Sequence, residues 1–436
     1  MSFTTAMVKL GGRRVLVARP NDRQYGHLGL EIVMSLASAR KEGADVYFVR
    51  PQTSLGPGLF ELESPDVRVL RPARVLHELF KTCIVLQALR QRMDEFRDAM
   101  REQLERELVR ESSRYVSDPG MPQEVRKRLR GMRGRLRTSL QDSARDKGAR
   151  QRPAYFKRLL LREPVPVHLK PSAREEAAKQ ARAHGIADDA RLVCIHAREE
   201  GYKRGGEIHD VKPQAGRNDM ARNASIASYL AAVDELVQRG YTVIRLGDSS
   251  MTPLMHPGVV DLATSPARTN LLEVFCLLRC DFIISGESAF GTLVYLTNTP
   301  MLLINATEPI AAYPVRAPGL FLPKTVVDRR DGRRLTSLDL LTLDYHRQFR
   351  DMRRYEYIEN SPEEIRGATR EMLEWIGGHW SESPGQRGYH EAIMCAAVQL
   401  WPRSMYVRKW GLHEGFLGDG RIARVALEHM TTAGVQ

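Results

Sequence analysis

Between residues 191 and 305, short apolar runs alternate with helical patterns at a spacing that few folds can use. Arg191 to Ile195 (RLVCI), Tyr241 to Leu246 (YTVIRL), Asp281 to Ser285 (DFIIS) and Met301 to Asn305 (MLLIN) are nearly continuous apolar runs. Helical patterns fill the gaps at 226–240, 271–279 and 290–296. A strand that is apolar at successive positions, and not only at every second one, is buried on both faces. Strand, helix, strand at these distances means βαβ units and parallel pairing. The predicted class is α/β with Rossmann-type sheets, which bind ligands beyond the carboxyl ends of their strands.

The first third repeats the pattern more briefly. Arg14 to Ala18 (RVLVA) reads as a strand, followed by a polar loop (RPNDRQYGHLG) and a helix (LEIVMSLASARKEG). Ala44 to Val49 and Val67 to Leu70 are further strand candidates. Residues 74–162 are helical and charged, broken at Asp118-Pro119-Gly120, and Glu163-Pro164-Val165-Pro166 reads as a linker. Capping boxes at Ser172–Glu175 and Ser361–Glu364 predict helices running to about Gly185 and Trp375.

Composition narrows the class. No run of about 18 apolar residues is present to span a bilayer. The opening MSFTTAMVKLGGRR lacks the order of a signal peptide. The five cysteines are odd in number and form no CxxC pair, so a reduced, cytoplasmic protein with Cys276 and Cys280 as buried thiols is expected. The net charge is +13, and residues 121–160 hold 13 Lys and Arg against 3 Asp and Glu, which is +10 of it. Such a block suits an anionic lipid surface, an acidic polymer or nucleic acid, or is simply solvated. Only Tyr155 and Phe156 are available within it to stack on bases, which argues against nucleic acid.

The strand ends carry the chemistry. His196 and Arg198 leave the first strand on one face, and an arginine fork there can grip a phosphate bidentately. Gly247-Asp248 ends the next strand, with a close-approach backbone and a carboxylate for a hydroxyl or ring nitrogen. Ser285-Gly286-Glu287-Ser288 leads into a helix whose free N–H groups suit a pyrophosphate. Arg222 and Asn223 precede the helix at 226, where Asn223 or Ser225 is the expected N-cap. Gly26 and His27 stand in the loop after the first strand and face the cleft. His196 and His209 have no third ligand nearby, so no metal site is expected.

His196-Ala197-Arg198, Leu246-Gly247-Asp248 and Cys280 to Phe290 (CDFIISGESAF) occur in the order and spacing of the fucosyltransferase superfamily, which this stretch, roughly 190–310, resembles. Most of the chain is also similar to a group of bacterial glycosyltransferases with a GHL segment, an Arg-Asn pair and an IRLGD strand. Both resemblances imply a GT-B-like architecture: two Rossmann-type domains facing a cleft, with a basic helical insertion. The implied division is an acceptor-side domain over 1–165 with the arm at about 74–162, a nucleotide-sugar-binding domain over 166–380 and a helical extension over 381–436. The resemblance implies a nucleotide-diphosphate sugar as donor, a glycan or lipid-linked acceptor, surface-glycan synthesis and no cofactor. It assigns Arg198 to the diphosphate, Asp248 to the nucleoside and Ser288 to the pyrophosphate. Glu199 and Gly201 stand where the superfamily has a second arginine and an aspartate, which leaves base and sugar open. An inverting reaction needs a general base, for which Glu200, Glu207, Asp210 and His27 are candidates. The expected location is cytoplasmic or peripheral at the inner membrane. The competing readings are a nucleotide-sugar epimerase on the same fold and a nucleic-acid-binding protein using the basic arm.

Overall fold

The computed structural model describes residues 4–20, 25–50, 54, 56–71, 74–117, 119–135, 166–199, 219–400 and 418–427. The expected catalytic acids Glu200, Glu207 and Asp210, the basic block beyond residue 135 and linker residues 163–165 lie outside these.

A small sheet opens the chain. Strand β1 (Thr4–Leu10) turns through Gly11 and Gly12, both at positive φ, into antiparallel β2 (Arg13–Arg19). β2 runs parallel to β3 (Asp45–Phe48), with helix α1 (Tyr25–Lys41) as the crossover. Side chains alternate across these two strands. Leu16, Ala18, Val46 and Phe48 join the main core with α1, while Val15, Val17, Tyr47 and Val49 cluster with Phe80 and Ile84 on the other face. Phe80 and Ile84 belong to α2 (Arg74–Val116), a helix of 43 residues, and a second helical stretch follows at 123–135. The break expected at 118–120 therefore separates two helices. Two local expectations are corrected. Residues 25–29 form the first turn of α1 and not a loop, and Val67 to Leu70 is no strand. Arg68 interrupts that apolar run and pairs with Asp45 at 2.6 Å, and the segment forms only two isolated bridges, Val69 to Val46 and Val67 to Ser64.

The main sheet has seven strands: β6 (Leu192–His196), β7 (Thr242–Arg245), β8 (Val259–Asp261), β9 (Phe282–Ser285), β10 (Met301–Ala306), β11 (Gly319–Pro323) and β14 (Arg421–Ile422). Their order is β14-β11-β10-β9-β6-β7-β8 and every pairing is parallel. β6, β9 and β10 are buried at every position, as their continuous apolar runs demanded. The α/β, Rossmann-type class is thus the one observed. The sheet carries α3 (Pro171–Ala183), α4 (Leu230–Gln238), α5 (Asn270–Arg279), α6 (Ala289–Thr297), α7 (Pro362–Ile376) and α8 (Pro384–Leu400). α7 starts at the expected Ser361–Glu364 capping box. α3 starts one residue before Ser172, because Pro171 supplies a preset φ at its first turn and Lys170 takes the cap position without a side-chain bond. Short strands β12 (Thr325–Asp328) and β13 (Tyr355–Ile358) form a separate antiparallel pair. Cys194, Cys276 and Cys280 are buried free thiols.

The two sheets are tied together. β4 (Leu62–Glu63) pairs antiparallel with β5 (His168–Leu169), and Lys170 Nζ donates to Glu61 Oε2 at 2.8 Å. α1 lies against α6 closely enough that a Cβ on Gly26 would stand 3.0 Å from the Ala289 Cα. Gly58 N–H donates to Asn270 Oδ1 at 2.9 Å, and Asn270 Nδ2 donates to the Tyr25 hydroxyl at 2.5 Å. One continuous hydrophobic core holds residues from Leu16 to Ala426.

Candidate active site

The sheet order reverses between β6 and β9: β7 and β8 extend to one side, β10, β11 and β14 to the other. At such a switch point the two following connections diverge and leave a crevice at the carboxyl edge. Parallel register sets His196 beside Ser285 and Ile195 beside Arg245, so the three strand ends singled out from sequence open at one level.

His196 closes β6 from within. It is buried, its Nδ1 donates to the Leu246 carbonyl at 3.0 Å, and its ring lies 4.7 Å from that of Phe290. Because a carbonyl only accepts, the proton sits on Nδ1. Burial, with the guanidinium of Arg245 nearby, pushes the imidazole down to about 4, so it is neutral at physiological pH. Phe290 also meets Tyr25 edge-on at 5.5 Å, so a row of aromatic rings runs from α1 through α6 to β6.

Arg198 lies half-buried past the strand end and donates through Nη1 to Asn223 Oδ1. The Ala224 N–H fixes its backbone by donating to the Arg198 carbonyl at 3.0 Å. Arg222 donates through Nη1 to the Glu287 carbonyl at 3.2 Å, so a chain of contacts joins the end of β6 to the start of α6. Ser225, and not Asn223, caps the helical segment at 226, accepting from the Ala227 N–H at 3.2 Å. That releases the Asn223 side chain to hold Arg198. Its carbonyl accepts from Lys324 Nζ at 2.6 Å. Lys324 follows β11, is buried, and has its ammonium pushed below the usual lysine range by desolvation.

Ser288 caps α6, accepting from the Gly291 N–H at 3.4 Å and sharing a hydrogen bond with the Ser285 hydroxyl at 3.1 Å. Gly286 between them leaves 3.7 Å from a hypothetical Cβ to the Ile304 carbonyl oxygen. Glu287 points inward: Oε1 accepts from Arg350 at 3.0 Å, and Oε2 from the Thr307 N–H at 3.0 Å and its hydroxyl at 2.5 Å. Its carboxylate is occupied in shaping the turn and contributes no free negative charge to the crevice. Asp248 forms a turn, accepting from the Ser250 N–H at 2.9 Å. Gly247 donates its N–H to Glu273 Oε1 at 3.4 Å, and its carbonyl accepts from Arg268 at 2.5 Å. His27 follows Gly26 in the first turn of α1 and is half-buried.

Three residues that matter here were not singled out from sequence. Lys324 directly follows a run, GLFLP, whose strand character was readable. Glu273 is the one acid in the apolar helix NLLEVFCLLR, and burial raises its carboxyl to about 7. Arg245 is wholly buried between Glu199 at 3.1 Å and Asp261 at 3.0 Å, and only the fold shows that those carboxylates meet it. Arg198, Arg222 and Lys324 thus gather cationic charge at the switch point, beside a helix N-terminus.

No family model matches the sequence, and no curated protein does. Among solved structures, the chain is similar to a glycosyl transferase family 9 protein from Veillonella parvula, at 11% identity and TM-score 0.31, over 68% of this chain and 81% of that one. It is similar also to the ADP-heptose LPS heptosyltransferase II of E. coli, at 12% identity and TM-score 0.33, over 66% and 83%.

Proposed function

We propose that the protein is a glycosyltransferase that moves a sugar from a nucleotide-diphosphate sugar to a hydroxyl of a glycan or lipid-linked acceptor. One observation carries the reading: Arg198, Arg222 and Lys324 converge with the Ser288-capped start of α6 at the switch point of a parallel sheet. That arrangement answers the main demand of the reaction. The bond from the anomeric carbon to the diphosphate oxygen breaks, the acceptor oxygen bonds to that carbon, and the acceptor proton passes to a base. The departing nucleoside diphosphate carries away negative charge, which preorganised cations and N–H groups stabilise. Arg198 and Arg222 act as forks and Lys324 as a point charge whose burial strengthens its attraction for an anion. Asp248, at the end of β7, is the residue for the nucleoside. The base comes from His27 or from Glu200, Glu207 and Asp210. The reading requires no cofactor and no metal, and a cytoplasmic or membrane-peripheral setting fits a lipid-linked acceptor.

A thermal-shift screen against GDP, UDP, ADP, CMP and dTDP sugars tests it. A ligand that binds only the native state raises the melting temperature by mass action, so one nucleotide should stand out. No response to any of them contradicts the proposal. Release of nucleoside diphosphate that requires an acceptor separates a transferase from an epimerase, which would interconvert sugars without one.

A further inference from the structure

We propose that helix α2 lies on an anionic lipid surface, seated by an apolar stripe on its outward face. Leu86, Leu89, Met93, Phe96, Met100 and Leu104 recur at steps of three or four residues, which places them on one side of the helix. They are between 48% and 71% exposed. Over this stretch the stripe is about 27 Å long at the α-helical rise. Phe80 and Ile84, on the opposite side, bury α2 against the small sheet. The helical stretch at 123–135 returns along that inner side too, where Arg133 Nη1 donates to Ser113 Oγ at 3.3 Å. No described residue covers the stripe, and an apolar band of this length on a monomer marks an interaction site.

The charges beside the stripe select its occupant. Arg90, Arg97 and Arg101 follow one margin and Arg92 the other, while beyond the ends of the stripe Lys81 pairs with Glu78 at 3.0 Å and Arg110 with Glu111 at 3.9 Å. The described acids of the 86–106 stretch stand behind the arginines: Asp94 pairs with Arg97 at 3.2 Å, and buried Glu105 with Arg101 at 3.0 Å. A second copy docked through the same stripe would bring arginine margin against arginine margin, which is repulsive. A bilayer surface suits the pattern instead. Its acyl boundary takes the Leu, Met and Phe side chains, and long cationic side chains on both margins reach headgroup phosphates. An acidic protein would need carboxylates matched to both margins, whereas a fluid anionic surface needs only the segregation itself. The sequence placed membrane contact in the basic block at 121–160 alone; the geometry assigns the apolar anchor to α2.

Flotation of the full chain with vesicles of phosphatidylcholine, with and without phosphatidylglycerol, tests it. The chain should float with the mixed vesicles and much less with the neutral ones. Met93→Asp with Phe96→Asp should lower partitioning by about tenfold or more, with the circular dichroism melt unchanged because both side chains are exposed. Arg90→Glu with Arg97→Glu should remove the preference for anionic lipid. The indole emission of a Phe96→Trp variant should shift to the blue on the mixed vesicles. Flotation unaffected by the aspartates, or an indole emission in Phe96→Trp that does not move while the chain floats, overturns the assignment to α2. So does absence of binding to either vesicle, or a dimer in solution that the aspartates dissociate.

Discussion

Glu273 shows how much one side chain at this edge can report. Its carboxyl is buried behind Gly247 and holds its proton to about 7, against 4.5 for the unperturbed group. Between those values the native state binds more protons than the unfolded chain, so this group's contribution to stability falls as pH rises and is fully lost above about 7. Glu273→Gln keeps the hydrogen-bonding shape without the titration. Urea unfolding should therefore show a variant that gains on the wild type between about pH 5 and about pH 8, and parallel profiles would contradict the assignment. Arg245 gives a larger effect of another kind. Its removal leaves Glu199 and Asp261 facing a buried space, and Arg245→Ala should cost about 3–5 kcal/mol in the same measurement. At this scale the sequence was most informative where a residue follows a strand directly. Arg198 and Ser288 could be located because strand periodicity fixes where a strand ends. Glu199, just past a correctly placed strand, could not be read as the partner of Arg245, because 46 residues separate them. Lys324 was missed for the same reason, since its neighbour Asn223 lies 101 residues away.

Among the elements, the contact of α1 with α6 positions the helix start proposed to hold the pyrophosphate. Gly26 sits against the backbone of Ala289, and backbone cannot swing aside as a side chain does. Gly26→Ala should cost about 1–3 kcal/mol by overpacking and should weaken nucleotide binding beyond its effect on stability, because α6 is the element displaced. Denaturant melts together with nucleotide titration check this; a loss of stability with unchanged affinity would uncouple α1 from the site. Central strands were legible because burial on both faces leaves an unmistakable apolar run. β1, β8 and β14 were not read, because they are edge strands that owe their form to a neighbour; the interior strand β11 was passed over although GLFLP is a continuous apolar run. The loop reading of 25–29 failed because Tyr25 and Gly26 are held helical by contacts with Asn270 and Ala289, more than 240 residues away.

At the scale of the whole molecule, the three-stranded and seven-stranded sheets share one main core among the described residues, with the long helix α2 on the outer face of the smaller sheet. Alternation of strand and helix was enough to predict the larger sheet and its carboxyl edge. It could not give the seven-strand order, which depends on β10, β11 and β14 stacking beyond β9. The central claim is that this edge holds the diphosphate of a nucleotide sugar through Arg198. Calorimetric titration of the wild type, Arg198→Ala and Arg198→Lys with the nucleoside diphosphate selected by the thermal screen tests it most directly. The expected result is about a ten- to hundredfold loss of affinity in the alanine variant, from a charge-assisted contact to a desolvated diphosphate, with partial recovery in the lysine variant. Equal affinity in the wild type and the alanine variant would contradict it.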